Sequence, residues 1–487
     1  VNKPIRTISM FCLLLFLALM LNATYLQYYK AGALDKDQRN RRVIAASFAR
    51  ERGAILVGRT PIAESVPSDD QYKFQRTYPE PFKYAGITGW FSYYGQTGIE
   101  QTQNAVLSGD DSLLFVTKLV DLLSNNASKG GSVQLTINEA AQTAAFNGLS
   151  ALPGDVQASV VAIEPNTGKI LAMVSLPTYD PNKLASHDLS SVGDTYDRLN
   201  QDPDEPLLNR AIQTRLPPGS TFKVVTAAAA IESGNYDAGS QVPGGAQYTP
   251  AQTSNVIDNE GRDCGTGRIP FTQAMENSCN TSFAALADEV GAEAMTKQAE
   301  AFGFNSLYLD DLGPQAVSNF PTDTNLSPAF VAQTGIGQYD VSATPLQMAM
   351  VAAGIANGGT VMKPYLVDEV QSPELDVLDK TEPSELSKAV SASTASELTK
   401  LLVATVEDGT ANPAAIPGIE VAGKTGTAQS GQDNVPPYAW FISFAPADDP
   451  QVAVAVMIQK AGIPRDEIAG GVYGGPIAKA VMQAVLQ

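Results

Sequence analysis

Twenty-three consecutive residues without a charge, Thr7 to Tyr29, open this 487-residue chain and constrain it most. As a helix rising ~1.5 Å per residue they span about 35 Å, enough for a ~30 Å hydrocarbon core. Tyr25, Tyr28 and Tyr29 suit an interfacial aromatic belt at the outer end. No convincing small-x-small site follows, so residues 8–29 are expected to be an uncleaved signal anchor rather than a removed signal peptide. Residues 1–7 would then form a short cytoplasmic tail. Lys30, Lys36, Arg39, Arg41 and Arg42 outnumber Lys3 and Arg6, and simple counting would keep the following domain inside. Large domains translocate despite such charge, and the chemistry below requires the outside, so an extracytoplasmic body is expected.

Charge and scarce residues exclude several classes. The net charge of −19 splits into +6 over residues 1–52 and −25 over the rest, so the body offers nucleic acid no electrostatic footprint. One histidine, His187, excludes multi-histidine metal sites, and its setting reads as a surface loop. Cys12 lies in the apolar run. Cys264 and Cys279 suffice for one disulfide of an oxidising compartment, and a disulfide pairing of the two is expected. It would pin the segment leading to Ser278 and Asn280.

The length calls for more than one domain. Residues 30–150 mix short strand-like and helical patterns, with helices expected over Phe115–Leu123 and Asn138–Leu149. Residues 151–487 begin with a hairpin, Ala158–Ile163 and Lys169–Val174 about an Asn166-Thr167-Gly168 turn. Three more strands are expected around Glu420–Gln429, Tyr438–Phe444 and Val452–Gln459, before a terminal helix Pro476–Leu486. Ser384–Ser396 reads as an exposed loop and helix start. Strands at both ends with an Ala-rich helical middle indicate α+β: one antiparallel sheet fed from two sequence regions and covered by helices.

Three short motifs carry the chemistry. Pro217-Pro218-Gly219-Ser220-Thr221-Phe222-Lys223 halts one element and starts a helix that places Ser220 and Lys223 on one face. A lysine among Phe, Ala and Val is desolvated, which lowers its pKa and frees an amine to act as base. Ser278-Cys279-Asn280 adds a hydroxyl that can relay a proton and an amide that can hold a carbonyl. Gly423-Lys424-Thr425-Gly426-Thr427, on a strand, offers a cation and hydroxyls for a carboxylate, with Gly426 read as letting substrate approach the backbone. The N–H groups of Ser220 and Thr427 would form an oxyanion hole. Each motif alone is short enough to arise by chance; their order, with Ser278 and Lys424 lying 58 and 204 residues beyond Ser220, makes them specific.

That trio resembles the Ser-x-x-Lys, Ser-x-Asn, Lys-Thr-Gly set of penicillin-binding proteins. Ser159–Ser175, Tyr179-Asp-Pro-Asn182, Leu208-Asn209-Arg210-Ala211, Gly335-Ile-Gly-Gln338 and Thr344-Pro345-Leu346-Gln347 look like their transpeptidase domain. Arg52-Gly53, Arg76-Thr-Tyr-Pro79 and Gly95–Glu100 resemble the N-terminal module of class B members, so that roughly residues 40–487 look like the actinobacterial penicillin-binding protein A type. The resemblance implies a serine β-lactamase/transpeptidase-like domain, a five-stranded antiparallel sheet with a helical subdomain, behind a smaller α+β pedestal or dimerisation-like module. It implies D,D-transpeptidation of peptidoglycan stem peptides ending in D-Ala-D-Ala, with β-lactams as covalent inhibitors. Ser220 would be the nucleophile, Lys223 the base, Ser278 the relay and Asn280 a substrate contact. Lys424, Thr425 and Thr427 would bind the terminal carboxylate. It implies no metal or organic cofactor, and as partners a peptidoglycan glycosyltransferase and other wall-synthesis or division proteins. Residues 30–150 are too few for a glycosyltransferase domain, which favours class B over class A, and no PASTA repeats are expected before Gln487. A β-lactamase or β-lactam sensor, and a non-catalytic scaffold, are the alternatives; Glu205-Pro-Leu-Leu-Asn209 imitates a lactamase element but precedes Ser220.

Overall fold

The computed structural model describes residues 3–30, 34, 48–115, 129–431 and 435–487. Helix α1 (Lys3–Thr24) begins inside the expected seven-residue tail and continues through one wider turn, Tyr25–Tyr29. These 27 residues are long and apolar enough to cross a membrane. Lys36, Arg39, Arg41 and Arg42 lie outside the described residues, as does most of the helix expected over Phe115–Leu123.

A six-stranded and a five-stranded sheet organise the rest. In chain order their strands are β1 (Ile55–Val57), β2 (Thr60–Pro67), β3 (Phe74–Thr77), β4 (Ser132–Leu135), β5 (Gln157–Ile163), β6 (Ile170–Leu176), β7 (Val367–Gln371), β8 (Val377–Lys380), β9 (Ala422–Ala428), β10 (Tyr438–Ala445) and β11 (Val452–Lys460). The flanking helices are α2 (Glu139–Ser150), α3 (Lys223–Glu232), α4 (Asn280–Val290), α5 (Pro345–Ala356), α6 (Ala392–Glu407) and α7 (Gly475–Leu486).

The five-stranded sheet runs β9-β10-β11-β5-β6 and is antiparallel throughout, so strands from residues 157–176 and 422–460 meet side by side. Helices cover both faces, which is why its strands read as nearly continuous apolar runs. On β11, Val454 and Val456 face the core shared with α2 and α7, while Ala453, Ala455 and Met457 face the core of α5 and α6. Helix α3 packs behind, against α4 and α6. The β9 edge carries the Lys-Thr-Gly motif.

The six-stranded sheet runs β8-β7-β4-β1-β2-β3, with one parallel pair, β1 and β4. Its make-up departs from a module confined to residues 30–150. Strands β7 and β8 come from the far side of that line: β7 pairs onto β4, Val370 opposite Val133, and β8 pairs onto β7. Conversely α2, capped by Asn138 and burying Ala141, Ala145 and Leu149, lies on the five-stranded sheet. Local sequence pattern carries no record of such long-range pairing. The stretch expected as an exposed loop and helix start, Ser384–Ser396, does start a helix, α6 at Ala392, but its first part is a short strand, Glu385–Lys388, paired with Thr360–Met362.

Beside the six-stranded sheet, the three N-terminal motifs meet in one buried cluster. Glu100 is fully buried and takes Arg52 Nε on Oε2 and Arg76 Nε on Oε1, both at 2.6 Å. Tyr78 donates its hydroxyl to Glu100 Oε1 at 3.1 Å and accepts the Phe91 N–H at 2.8 Å. Arg52 also bonds the Glu100 carbonyl and Asn104, and Arg76 the Gly53 carbonyl. The two guanidiniums hold the Glu100 carboxyl below its usual range against the opposing effect of burial.

Candidate active site

Ser220 sits where two prolines and a left-handed glycine force a tight turn. Gly219 has φ +53°, residues Gly219–Phe222 form a 3₁₀ turn, and α3 follows directly. Thr221 closes the turn with a 2.8 Å bond to the Pro218 carbonyl. The turn is clamped from two sides. A Cβ on Gly337 would lie 2.2 Å from the Gly219 carbonyl, and one on Gly426 would lie 2.9 Å from both the Pro218 carbonyl and Thr221 Cγ2. Gly426 is therefore required for β9 to press against the nucleophile turn, and not for substrate approach as the sequence suggested: its free face is already filled by protein. The Ser220 hydroxyl makes no hydrogen bond among the described residues.

The second motif occupies a strained turn between a short helix, Phe271–Glu276, and α4, with Ser278 at φ +55°. A non-glycine residue holds such a backbone only where its surroundings impose it. Here a Cys264–Cys279 disulfide ties the turn to the preceding loop. Buried Asn259 reinforces the tie, accepting the Thr281 N–H at 3.0 Å and donating to the Gly245 carbonyl at 2.8 Å.

Lys223, from the first motif, and Lys424, from the third, both reach Ser278. Lys223 Nζ lies 2.7 Å from the Ser278 carbonyl, 2.7 Å from Asn280 Oδ1 and 3.2 Å from Ser278 Oγ. Lys424 Nζ lies 2.8 Å from the same hydroxyl and 3.1 Å from the Thr425 carbonyl. Both lysines are fully buried. Desolvation, then the neighbouring charges of Lys424 and Arg262, drive Lys223 well below the ordinary lysine range. Desolvation and Arg262 bring Lys424 down to about 7. Lys424 was expected to meet a substrate carboxylate directly. It instead stands behind the cleft wall, because the β9 pleat turns its side chain toward Ser278.

Two clefts meet at Ser220 and Thr427. Ser278, Thr425, Arg262 and Thr410 line one, beside the Gly470-Gly471 backbone. Asn280, Glu260, Gln338, Tyr339 and Gln429 line the other. Thr410 bonds Thr425 through their hydroxyls at 2.8 Å. Arg262, Glu260 and Thr410 escaped the sequence reading, since no motif contains them; the one available signal was the nearness of Arg262 to Cys264. His187 pairs with Asp70 and packs on the Phe48 and Tyr72 rings. Asn209, at the end of the lactamase-like stretch, bonds the Gly86 carbonyl and lines neither cleft.

Known proteins match this arrangement along the chain. The penicillin binding protein transpeptidase domain family matches residues 158–483, and the penicillin binding protein A dimerisation domain family matches residues 52–133. Peptidoglycan D,D-transpeptidase PbpA of Mycolicibacterium smegmatis is 41% identical, covering 100% of this chain and 99% of that protein. PbpA of Mycobacterium tuberculosis is 39% identical over 100% of this chain and 99% of its own length. Among solved structures, the ceftriaxone acyl-enzyme complex of M. tuberculosis penicillin-binding protein A superposes with a TM-score of 0.86 at 39% identity, over 91% of this chain and 100% of that one. Its penicillin G acyl-enzyme complex gives a TM-score of 0.83 at 39% identity, over 90% of this chain and 100% of that one. The motif trio at one junction of two clefts and the matches along the whole chain agree: the chain belongs to the penicillin-binding protein transpeptidase family.

Proposed function

We propose that this chain is a peptidoglycan D,D-transpeptidase of class B that cross-links stem peptides through an acyl-enzyme on Ser220, and that β-lactams acylate the same serine. The observation that carries the reading is Ser220, unencumbered at the junction of two clefts, beside a buried lysine whose amine is driven toward its neutral form. Neutral Lys223 is the base that accepts the Ser220 proton, directly or through the Ser278 hydroxyl. Ser220 Oγ attacks the penultimate D-Ala carbonyl. The oxyanion is held by the N–H groups of Ser220 and Thr427. Support comes from the strand edge: a Cβ on Gly219 would lie 3.0 Å from the Thr427 carbonyl, and a strand residue directs its N–H to the same side as its carbonyl.

Collapse breaks the peptide C–N bond, and the departing D-Ala amine takes a proton from Lys223 through Ser278. Ser278 Oγ suits the relay because it stands 3.2 Å from one amine and 2.8 Å from the other. An acceptor amine then enters where D-Ala left, forms the new amide and returns the proton to Ser220. Asn280 contacts the substrate backbone, and the Thr425 and Thr427 hydroxyls meet the terminal carboxylate with Lys424 behind them. With a β-lactam, the ring amide opens, its nitrogen is protonated and the ester on Ser220 persists.

The substrate lies outside the membrane, and a disulfide beside the site suits an oxidising compartment. The N-terminus is therefore assigned to the cytoplasm and the body to the outside. Cross-linking joins strands that another enzyme must polymerise, so a glycosyltransferase is the expected partner in wall synthesis and division. Fluorescent penicillin, added to membranes holding the full chain and its Ser220→Ala variant, tests the reading. A stable covalent label lost in the variant supports it. Release of hydrolysed drug points to a β-lactamase, and no label on folded wild type leaves a scaffold.

A further inference from the structure

The substrate and most penicillins end in a carboxylate, yet the motif lysine expected to meet it is walled off, its amine spent on Ser278 and the Thr425 carbonyl. One guanidinium does line the cleft that Ser220 shares with Thr425 and Thr427. We infer that Arg262 is a specificity-determining residue that binds the carboxylate of the acyl donor, in exchange for its present ion pair with Glu260. This rests on Ser220 being the acylated nucleophile.

Three observations carry it. Arg262 is held rather than floating: its Nη1 donates to the Ser278 carbonyl at 2.9 Å and its backbone N–H to the Asn259 carbonyl at 3.1 Å. The disulfide and buried Asn259 fix that loop against the Ser278 turn. A planar fork fixed in advance loses little freedom on gripping a carboxylate. Second, its anionic partner is replaceable. Glu260 is 44% exposed and Arg262 29% exposed on the side chain, so the pair is solvent-facing and weak, and a donor carboxylate would replace like with like. Third, the neighbouring cations are ill suited to the task. Lys223 must be neutral to act as base, and burial lowers Lys424 to about 7, whereas a guanidinium stays charged.

The rival role for Arg262 is to pin the Ser278 turn through the bond to its carbonyl. Acylation of the detergent-solubilised full chain by penicillin G and by penicillin G methyl ester separates the two, since the ester lacks the anion. Arg262→Gln should lose about tenfold or more in second-order acylation by the acid, and less than about threefold by the ester, with Arg262→Lys intermediate. Equal losses on acid and ester, or no loss on either, overturn the inference. Should Arg262→Gln fold poorly, Glu260→Gln serves: freeing Arg262 should raise the acid-to-ester rate ratio, and an unchanged ratio overturns the inference. If wild type reacts with neither compound, the nucleophile assignment fails first.

Discussion

Among the described residues, the buried charges around Glu100 and those around Ser278 are built on opposite rules. Around Glu100 two arginines share one carboxylate, and each carboxylate oxygen receives a guanidinium. Around Ser278 three cations, Lys223, Lys424 and Arg262, converge with one carboxylate, Glu260, held out at the rim by Arg262. The first cluster keeps its acid ionised; the second drives its amines toward neutrality. Lys223 and Lys424 are as deeply buried as Arg52 and Arg76, so the difference lies in whether a buried carboxylate meets them. A cluster whose amines meet no buried carboxylate is where proton chemistry can occur, and one whose carboxylate bonds both of its cations holds segments together.

Removing the chemistry should spare the fold. Lys223→Ala should cut β-lactam acylation by about 10²–10⁴-fold, while the melting temperature stays level or rises because the cost of stripping a buried lysine of its proton and its water is gone. A fall of several degrees would break the comparison. Glu100→Ala should do the reverse, costing about 3–5 kcal/mol in denaturant unfolding by stranding two buried guanidiniums. The folded fraction should acylate at the wild-type rate. Gly426→Ala sits between the two: its Cβ forces the Ser220 turn to shift, with a stability loss of about 1–3 kcal/mol and a clear drop in acylation.

How much of this the sequence disclosed depended on distance along the chain. Ser220 with Lys223, and the strands of the five-stranded sheet, were legible because three-residue spacing and apolar runs are local signals. The motif order tied Ser278 and Lys424 to them. What stayed hidden was set by packing between remote segments. Only the nearness of Arg262 to Cys264 hinted that its guanidinium reaches the Ser278 carbonyl, and nothing in Gly426 tells that its bare face meets Pro218 rather than a ligand. The pairing of β7 with β4 was equally silent.

Two smaller effects, both in pH, sharpen the contrast. Acylation should rise with pH through a midpoint below the ordinary lysine range, as Lys223 loses its proton, and the rise should be absent from Lys223→Ala. Lys424 adds a stability effect. Unfolded, it holds its proton up to its ordinary value of 10.5; folded, it releases it near 7. Between those values the unfolded state binds more protons, so stability climbs with pH. Lys424→Met should make that climb shallower in unfolding curves, leaving the part that Lys223 contributes, whereas substitutions in the Glu100 cluster should leave it in place.

The return of the chain through β7 and β8 has a consequence for any attempt to divide this protein. After α5 it goes back to complete the first sheet, then re-enters by α6 to deliver β9 and its motif. Severing the chain near residue 150 would therefore yield no pair of self-sufficient halves. The N-terminal fragment would present β4 with an open backbone edge, a template for clumping. The remainder would carry two orphan strands and lack α2 over its core. For anyone grafting, swapping or crystallising parts of it, the two sheets are best kept together.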